Sequence, residues 1–201
     1  MSQPPIPYRV VPMIVDDLDR VMEIEHAAHV SPWTKSGYRG ELDNHLASYF
    51  VLLADRSIEQ APPALRGRLL AQFNASTSRP ILGYTGYWMI VDEAHISTIA
   101  IDPTWQRLGL GELLLLELME HALQRQAVLM TLEVRVSNIP AQALYEKYRF
   151  QYVGRRKNYY ADNKEDAHIM TVEQIDSPSY RHFLDNQWQR LSKRLTESFK
   201  A

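Results

Sequence analysis

The chain has 201 residues, 45% hydrophobic and 23% charged, with a formal net charge of −2 and no cysteine. That is enough for one globular domain with its own core, and it offers no overall basic footprint for nucleic acid. Without cysteine there are no disulfides, thiol nucleophiles or cysteine zinc sites. No apolar run approaches the roughly 20 residues of a membrane span, so a cytoplasmic protein working away from membranes is expected.

Tyr8 to Val15 is β-rich and reads as a first strand. Asp16-Asp17 can cap a helix through about Ala28, with Leu18, Val21, Met22 and Glu25 at helical spacing. Pro32 breaks that pattern, and Thr34 caps a second helix to about His45. Tyr49 to Ala54 is a continuous apolar run, the mark of a strand buried on both faces. Asp55 to Pro80 changes character, being rich in Pro, Arg and Ser/Thr/Asn, and reads as a long hairpin loop. Ile81 to Val91 is an aromatic-rich strand, and Asp92-Glu93 turn it into another, Ile96 to Ile101.

Asp102-Pro103 stops that strand, because Pro has no N–H for the ladder. Gly109 and Gly111 then let the backbone turn tightly at the start of a long apolar helix, about Leu108 to Gln126. A helix beginning there aims unpaired N–H groups and a positive dipole end outward, which suits a phosphate. Two phosphate motifs fail. Glu112-Leu113 follow the second glycine where a nucleoside-triphosphate loop needs Lys-Ser/Thr, and Leu114 stands where a dinucleotide loop needs a small residue. A plain glycine turn remains open on the glycines alone.

Val128 to Val136 is the next strand. Leu132, Val134 and Val136 share one face; Thr131, Glu133 and Arg135 share the other. A carboxylate inside a central strand breaks the local rule, which marks either an ion pair or a functional site. Ser137-Asn138 cap a helix with Pro140 in its first turn, running to about Tyr148. There Ala141, Leu144, Tyr145 and Tyr148 form a stripe, so Tyr145 is a core aromatic by spacing alone. Phe150 to Lys157 and Asp166 to Val172 read as closing strands. After Ser177-Pro178, the residues Tyr180, Leu184, Trp188, Leu191, Leu195 and Phe199 make one apolar stripe on a helix, which must cover its own domain, a second copy or a partner. The alternation of strands and helices predicts an α/β fold, with a mixed sheet of about seven strands and helices on both faces. The pattern divides the chain into a domain over 1–175 and a helical extension over 176–201.

Gln106-Arg107-Leu108-Gly109-Leu110-Gly111 fits the Q/R-x-x-G-x-G/A signature of the GNAT N-acetyltransferases. The combination of LEVRVSN, ALYEKYRF, RKNYY and EDAHIM, with EHAAHVSPWT near the start, resembles the RimI-type ribosomal-protein alanine N-acetyltransferases over roughly residues 8 to 173. The resemblance implies the GNAT fold and acetyl transfer from acetyl-CoA to a protein's N-terminal amine, in bacteria the alanine of the eighteenth small-subunit ribosomal protein. It implies that Ile99, Ala100 and Ile101 offer backbone groups to the pantetheine arm. It implies too that Arg107, Leu108, Gly109, Leu110, Gly111 and Glu112 cradle the pyrophosphate and that Asn138 hydrogen-bonds the cofactor. Glu133 matches the family's proton acceptor and Tyr145 its proton donor, while Trp33, Tyr159 and Tyr160 are expected to wall a peptide groove. The partner is then the N-terminal segment of a protein, with no direct nucleic-acid contact. The long Asp55–Pro80 loop and the tail after Asp176 depart from the pattern, leaving substrate range and an oligomer through the final helix open. No metal site is expected: His26, His29 and His95 lack a His-Glu-x-x-His arrangement. Two other readings stay open, a GNAT enzyme for lysine side chains or small amines, and a non-catalytic acetyl-CoA-binding protein.

Overall fold

The structure, a computed structural model, describes residues 6–54, 67 and 80–200, with 198–200 as backbone only. Seven strands form one sheet in the order β1-β2-β3-β4-β5-β7-β6. They are β1 (Tyr8–Pro12), β2 (Ala47–Ala54), β3 (Ile81–Ile90), β4 (Glu93–Ile101), β5 (Leu129–Arg135), β6 (Gln151–Tyr160) and β7 (Glu165–Glu173). The helices are α1 (Leu18–Ala28), α2 (Lys35–Leu42), α3 (Leu110–Gln124), α4 (Ile139–Lys147) and α5 (Pro178–Lys200). Every strand pair is antiparallel except β4 with β5. That parallel pair is joined by the α3 crossover, as parallel strands require.

Residue alternation along β2 explains the two cores. Val51 and Leu53 face the core under α1 and α2, with Leu18, Val21, Ile24 and Tyr38. Leu52 and Ala54 face the other core, under α3, α4 and α5. Strand β2 is thus buried on both sides, as its unbroken apolar run predicts. In β3, Gly86 lies under the ring of Tyr49, and a Cβ there would collide with it.

The helix ends follow local chemistry, with one difference. Thr34 caps α2 by accepting from the Gly37 N–H at 3.1 Å. Asp17 does not cap α1 with its side chain. It closes a short turn over Val15–Asp17, its carboxylate accepting from the Ile14 N–H at 3.0 Å. The Asp55–Pro80 loop lies outside the described residues except for Gly67 and Pro80, whose carbonyl accepts from the Ala54 N–H at 3.2 Å.

Helix α5 covers its own domain. Tyr180, Leu184, Trp188, Leu191 and Leu195 are all buried in the α3 core, and the Tyr180 hydroxyl donates to the Tyr148 carbonyl at 2.6 Å. The Phe199 side chain lies outside the described residues. Each buried leucine contributes about 1.5–3 kcal/mol. The helix also buries Gln187 Oε1, Trp188 Nε1 and Ser192 Oγ with no hydrogen-bond partner among the described residues. Each such atom costs about 1–3 kcal/mol, so the apolar stripe is what holds the helix down. The described apolar stripe thus packs into the chain's own core.

Candidate active site

The ladder between β4 and β5 runs only from Glu93↔Leu129 to Ile96↔Leu132. Beyond it, β4 stays with β3 as far as Ile101, and β5 stays with β7 as far as Arg135. Two parallel strands therefore part at their carboxyl ends, the place where open α/β sheets bind ligands. A cavity of about 350 Å³ occupies the wedge. Ile96–Ile99 and Leu132–Arg135 form its sides, Ala141 and Tyr145 of α4 its base, and Trp33 and Tyr159–Asp162 its outer walls.

The glycine loop sits past the end of β4. Arg107 and Gly109 both take left-handed backbone, at φ +68° and +85°. Helix α3 then starts with no side-chain cap, and its first intrahelical bond runs from the Leu113 N–H to the Gly109 carbonyl at 3.0 Å. The N–H groups of Leu110, Gly111 and Glu112 consequently precede the helical ladder, in the position that receives an anion.

The structure separates the backbone from the side chains of this set. Ala100 and Ile101 are buried in the two cores and do not line the cavity, so only their backbones are left for a ligand. Leu110 is buried in the α3 core and Leu108 packs against it. Glu112 points inward, where it accepts from the Tyr148 hydroxyl at 2.8 Å and Arg194 at 2.5 Å, and pairs with Lys147. Burial pushes the Glu112 carboxyl up, but these three donors outweigh it and hold it below the usual range. A carboxylate so engaged has no part in cradling phosphate, and its N–H is what it can contribute.

Ile99, Glu133, Asn138 and Tyr145 come together on the cavity, with Trp33, Tyr159 and Tyr160 around them. Asn138 caps α4, its Oδ1 accepting from the Ala141 N–H at 3.2 Å, so any cofactor contact falls to its amide nitrogen. Tyr145 is buried, and its ring lies 5.7 Å from that of Phe150. Burial, with the nearby Tyr160, pushes its phenol well up, so it keeps its proton.

Glu133 meets both sequence readings at once: it is ion-paired and it lines the cavity. Its Oε2 lies 2.7 Å from His95 Nε2, and its Oε1 lies 3.0 Å from Arg156. Burial pushes its pKa up, yet the His95 hydrogen bond and the charges of His95 and Arg156 bring it below the ordinary value. His95 and Arg156 are partners of Glu133 that the sequence did not place beside it. The weak signal for His95 was strand alternation, which puts it on the face opposite buried Ala94 and Ile96.

Another carboxylate on the cavity, that of buried Glu25, was also missed. It accepts from the Trp33 N–H at 2.7 Å and the Tyr38 hydroxyl at 3.0 Å, and from the Tyr84 hydroxyl. It therefore anchors the loop that carries Trp33, whose ring stacks on Trp88 at 6.1 Å. On the opposite wall the Arg135 guanidinium lies 3.8 Å over the Tyr160 ring. Burial pushes the Tyr160 phenol up to about 12, against the pull of Arg135. His29 and His95 each turn to a carboxylate, His29 standing 3.7 Å from Glu25. Among the described residues no group of three His, Cys, Asp or Glu could hold a metal ion.

The pattern of the Acetyltransferase (GNAT) family matches residues 18–150. A protein of Bacillus subtilis, provisionally named as a ribosomal protein bS18-alanine N-acetyltransferase, is 41% identical over 161 residues, 80% of this chain and 91% of its own length. The Salmonella typhimurium ribosomal protein bS18-alanine N-acetyltransferase is 33% identical over 158 residues, covering 78% of this chain and 90% of its own. The crystal structure of the ribosomal-protein-S18-alanine N-acetyltransferase from Escherichia coli superposes with a TM-score of 0.67 at 28% identity, over 83% of this chain and 94% of that one.

Proposed function

The chain belongs to the GNAT acetyltransferase family, and from that footing we propose that it moves acetyl from acetyl-CoA to the N-terminal α-amine of a protein. The proposed substrate is the N-terminal alanine of ribosomal protein bS18, the one its relatives are named for. The observation that carries the reading is the meeting of Glu133 and Tyr145 on one cavity where β4 and β5 part.

The chemistry assigns each group a task. The co-substrate's phosphates fall to the N–H groups after Gly109, and its arm to the free side of β4 at Ile99–Ile101. Glu133, directly or through water, accepts a proton from the incoming ammonium. The freed nitrogen attacks the thioester carbonyl; the new C–N bond forms as the C–S bond breaks. The departing thiolate takes the Tyr145 proton; the second proton that the nitrogen sheds as the amide forms restores the phenol, and the proton on Glu133 passes to solvent. A phenol is ordinarily near pKa 10 and burial raises that of Tyr145 further, so transfer to a thiolate of pKa about 8.5 requires the two atoms to be held in line.

The depressed Glu133 pKa favours an α-amine over lysine. A weak carboxylate base needs an amine that is partly free already. With a pKa of about 7.7–8.0, an N-terminus is roughly a tenth free at neutral pH, while lysine, at about 10.4, is hundreds of times less so. The test is incubation with acetyl-CoA and a panel of peptides, read by mass spectrometry. A peptide beginning with the bS18 N-terminal alanine should gain one acetyl group on its α-nitrogen. Acetylation confined to lysine side chains would overturn the reading.

A further inference from the structure

Trp88 lines the cavity and is held on three sides. On β3 it is the cross-strand partner of His95 on β4, and the two rings meet at 5.7 Å. Its indole N–H donates to Glu41 of α2 at 2.7 Å. Its face stacks on Trp33, with centroids 6.1 Å apart and planes 22° apart. Trp33 is itself tied down, through its N–H, to Glu25 of α1 at 2.7 Å. His95 in turn reaches Glu133 at 2.7 Å. An aromatic wall therefore runs from Trp33 through Trp88 to His95 and ends at the Glu133 carboxylate. Rings pinned by hydrogen bonds at one end and packed against other rings at the other have little room to yield.

We propose that Trp88 sets the size of the first residue that the enzyme accepts, by walling the space beside Glu133 into which that residue's side chain falls. The inference rests on the N-terminal acetyl-transfer reading above. On that reading the acceptor nitrogen comes to Glu133, and the first side chain leaves the carbon next to that nitrogen. It falls among the groups that surround the carboxylate. Arg156 stands on one Glu133 oxygen at 3.0 Å and offers a charge rather than apolar ground. The other oxygen faces His95, with the Trp88 indole behind it, and that side suits an apolar group if it is short. The cavity, at about 350 Å³, must take the thioester end of the co-substrate as well. The ligand class is thus an N-terminus with a small first side chain, such as that of alanine. A rigid apolar wall discriminates by size, one methylene too many costing about 10- to 200-fold.

The experiment compares kcat/KM for two peptides that differ only in their first residue, alanine or leucine, with wild type, Trp88→Leu and Trp88→Phe. Melting curves and coenzyme A affinity by calorimetry accompany each protein. The wild type should favour the alanine peptide by about 100-fold or more. Trp88→Leu should cut that preference about tenfold, chiefly by raising kcat/KM for the leucine peptide, with coenzyme A affinity unchanged. Trp88→Phe keeps a smaller ring between Trp33 and His95 and should fall between the two; it decides the matter if Trp88→Leu does not fold. An unchanged preference in either folded variant overturns the proposal. So does a wild type that takes the alanine and leucine peptides equally well. A wild type that acetylates no peptide α-amine overturns the acetyl-transfer reading instead, and this inference with it.

Discussion

The two ends of the wedge are built from different materials. The end proposed for the phosphates is backbone: two residues in left-handed conformation, a helix start without a side-chain cap, and a strand edge past its last pairing with β5 among the described residues. The acceptor end is side chains held by other side chains: Glu133 by His95 and Arg156, Trp33 by Glu25 and Trp88, Tyr160 by Arg135. On the proposed reading, the backbone end would take the co-substrate common to the family, and the side-chain end, replaceable one residue at a time, would set substrate choice and proton transfer.

Substitutions at the two ends should therefore fail in different measurements. The largest effect is expected from Tyr145→Phe, which should cut turnover about 100-fold or more while coenzyme A affinity, measured by calorimetry, stays unchanged. A wild-type rate would remove Tyr145 as the acid. Glu133→Gln should lower kcat by about 10- to 100-fold at about pH 6.5, and by less above the amine pKa, where the nucleophile is already free. Equal activity across the pH profile would separate Glu133 from proton transfer. At the other end, Gly109→Ala forces a side chain into φ +85° and against Arg194 and Leu191. A strained residue costs about 1–3 kcal/mol, so coenzyme A should bind about tenfold more weakly, with the peptide KM unchanged.

The smallest effect on activity is expected away from the cavity. Glu117 on α3 has its carboxyl pushed up to about 7 by burial and by Glu120. The folded state then holds this proton more tightly than the unfolded chain does. Stability from this group consequently falls as pH rises from about 4.5 through 7. Glu117→Gln should raise stability by about 1–3 kcal/mol at about pH 8 and by almost nothing at about pH 4.5, with turnover unaltered. Thermal melts at the two pH values read this directly. A gain of the same size at both would mean that Glu117 is ionised alike in the folded and unfolded chain.

This contrast also explains what the sequence made legible. Local signals located the glycine loop, the Thr34 and Asn138 caps, the doubly buried β2 and the α5 stripe, because each depends on residues a few positions apart. The acceptor end was legible only in part. Glu133 stood out as a carboxylate inside an apolar strand, but its partner His95 is 38 residues away and Arg156 comes from the far edge of the sheet. Glu25 meets Tyr84 across 59 positions, and nothing in a helix pattern announces that it will hold the neighbouring aromatic loop. For Glu112 the motif spoke only to the backbone: Lys147, Tyr148 and Arg194, brought in from two other helices, turn its side chain inward and leave its N–H to the loop.

The early end of the β4–β5 ladder has a thermodynamic corollary. A sheet that stops pairing after Ile96 and Leu132 leaves β4 as an interior edge, a strand in want of a neighbour. A coenzyme arm with amides along its length would fill that vacancy as a short surrogate strand, so occupancy should act on the protein as well as on the ligand. Saturation with coenzyme A at about 100 times its dissociation constant should stabilise the fold by about 2.7 kcal/mol through mass action. The gain in amide-exchange protection should concentrate in Ser97–Ile101 and in the first turn of α3, making the small molecule, while bound, a piece of the sheet.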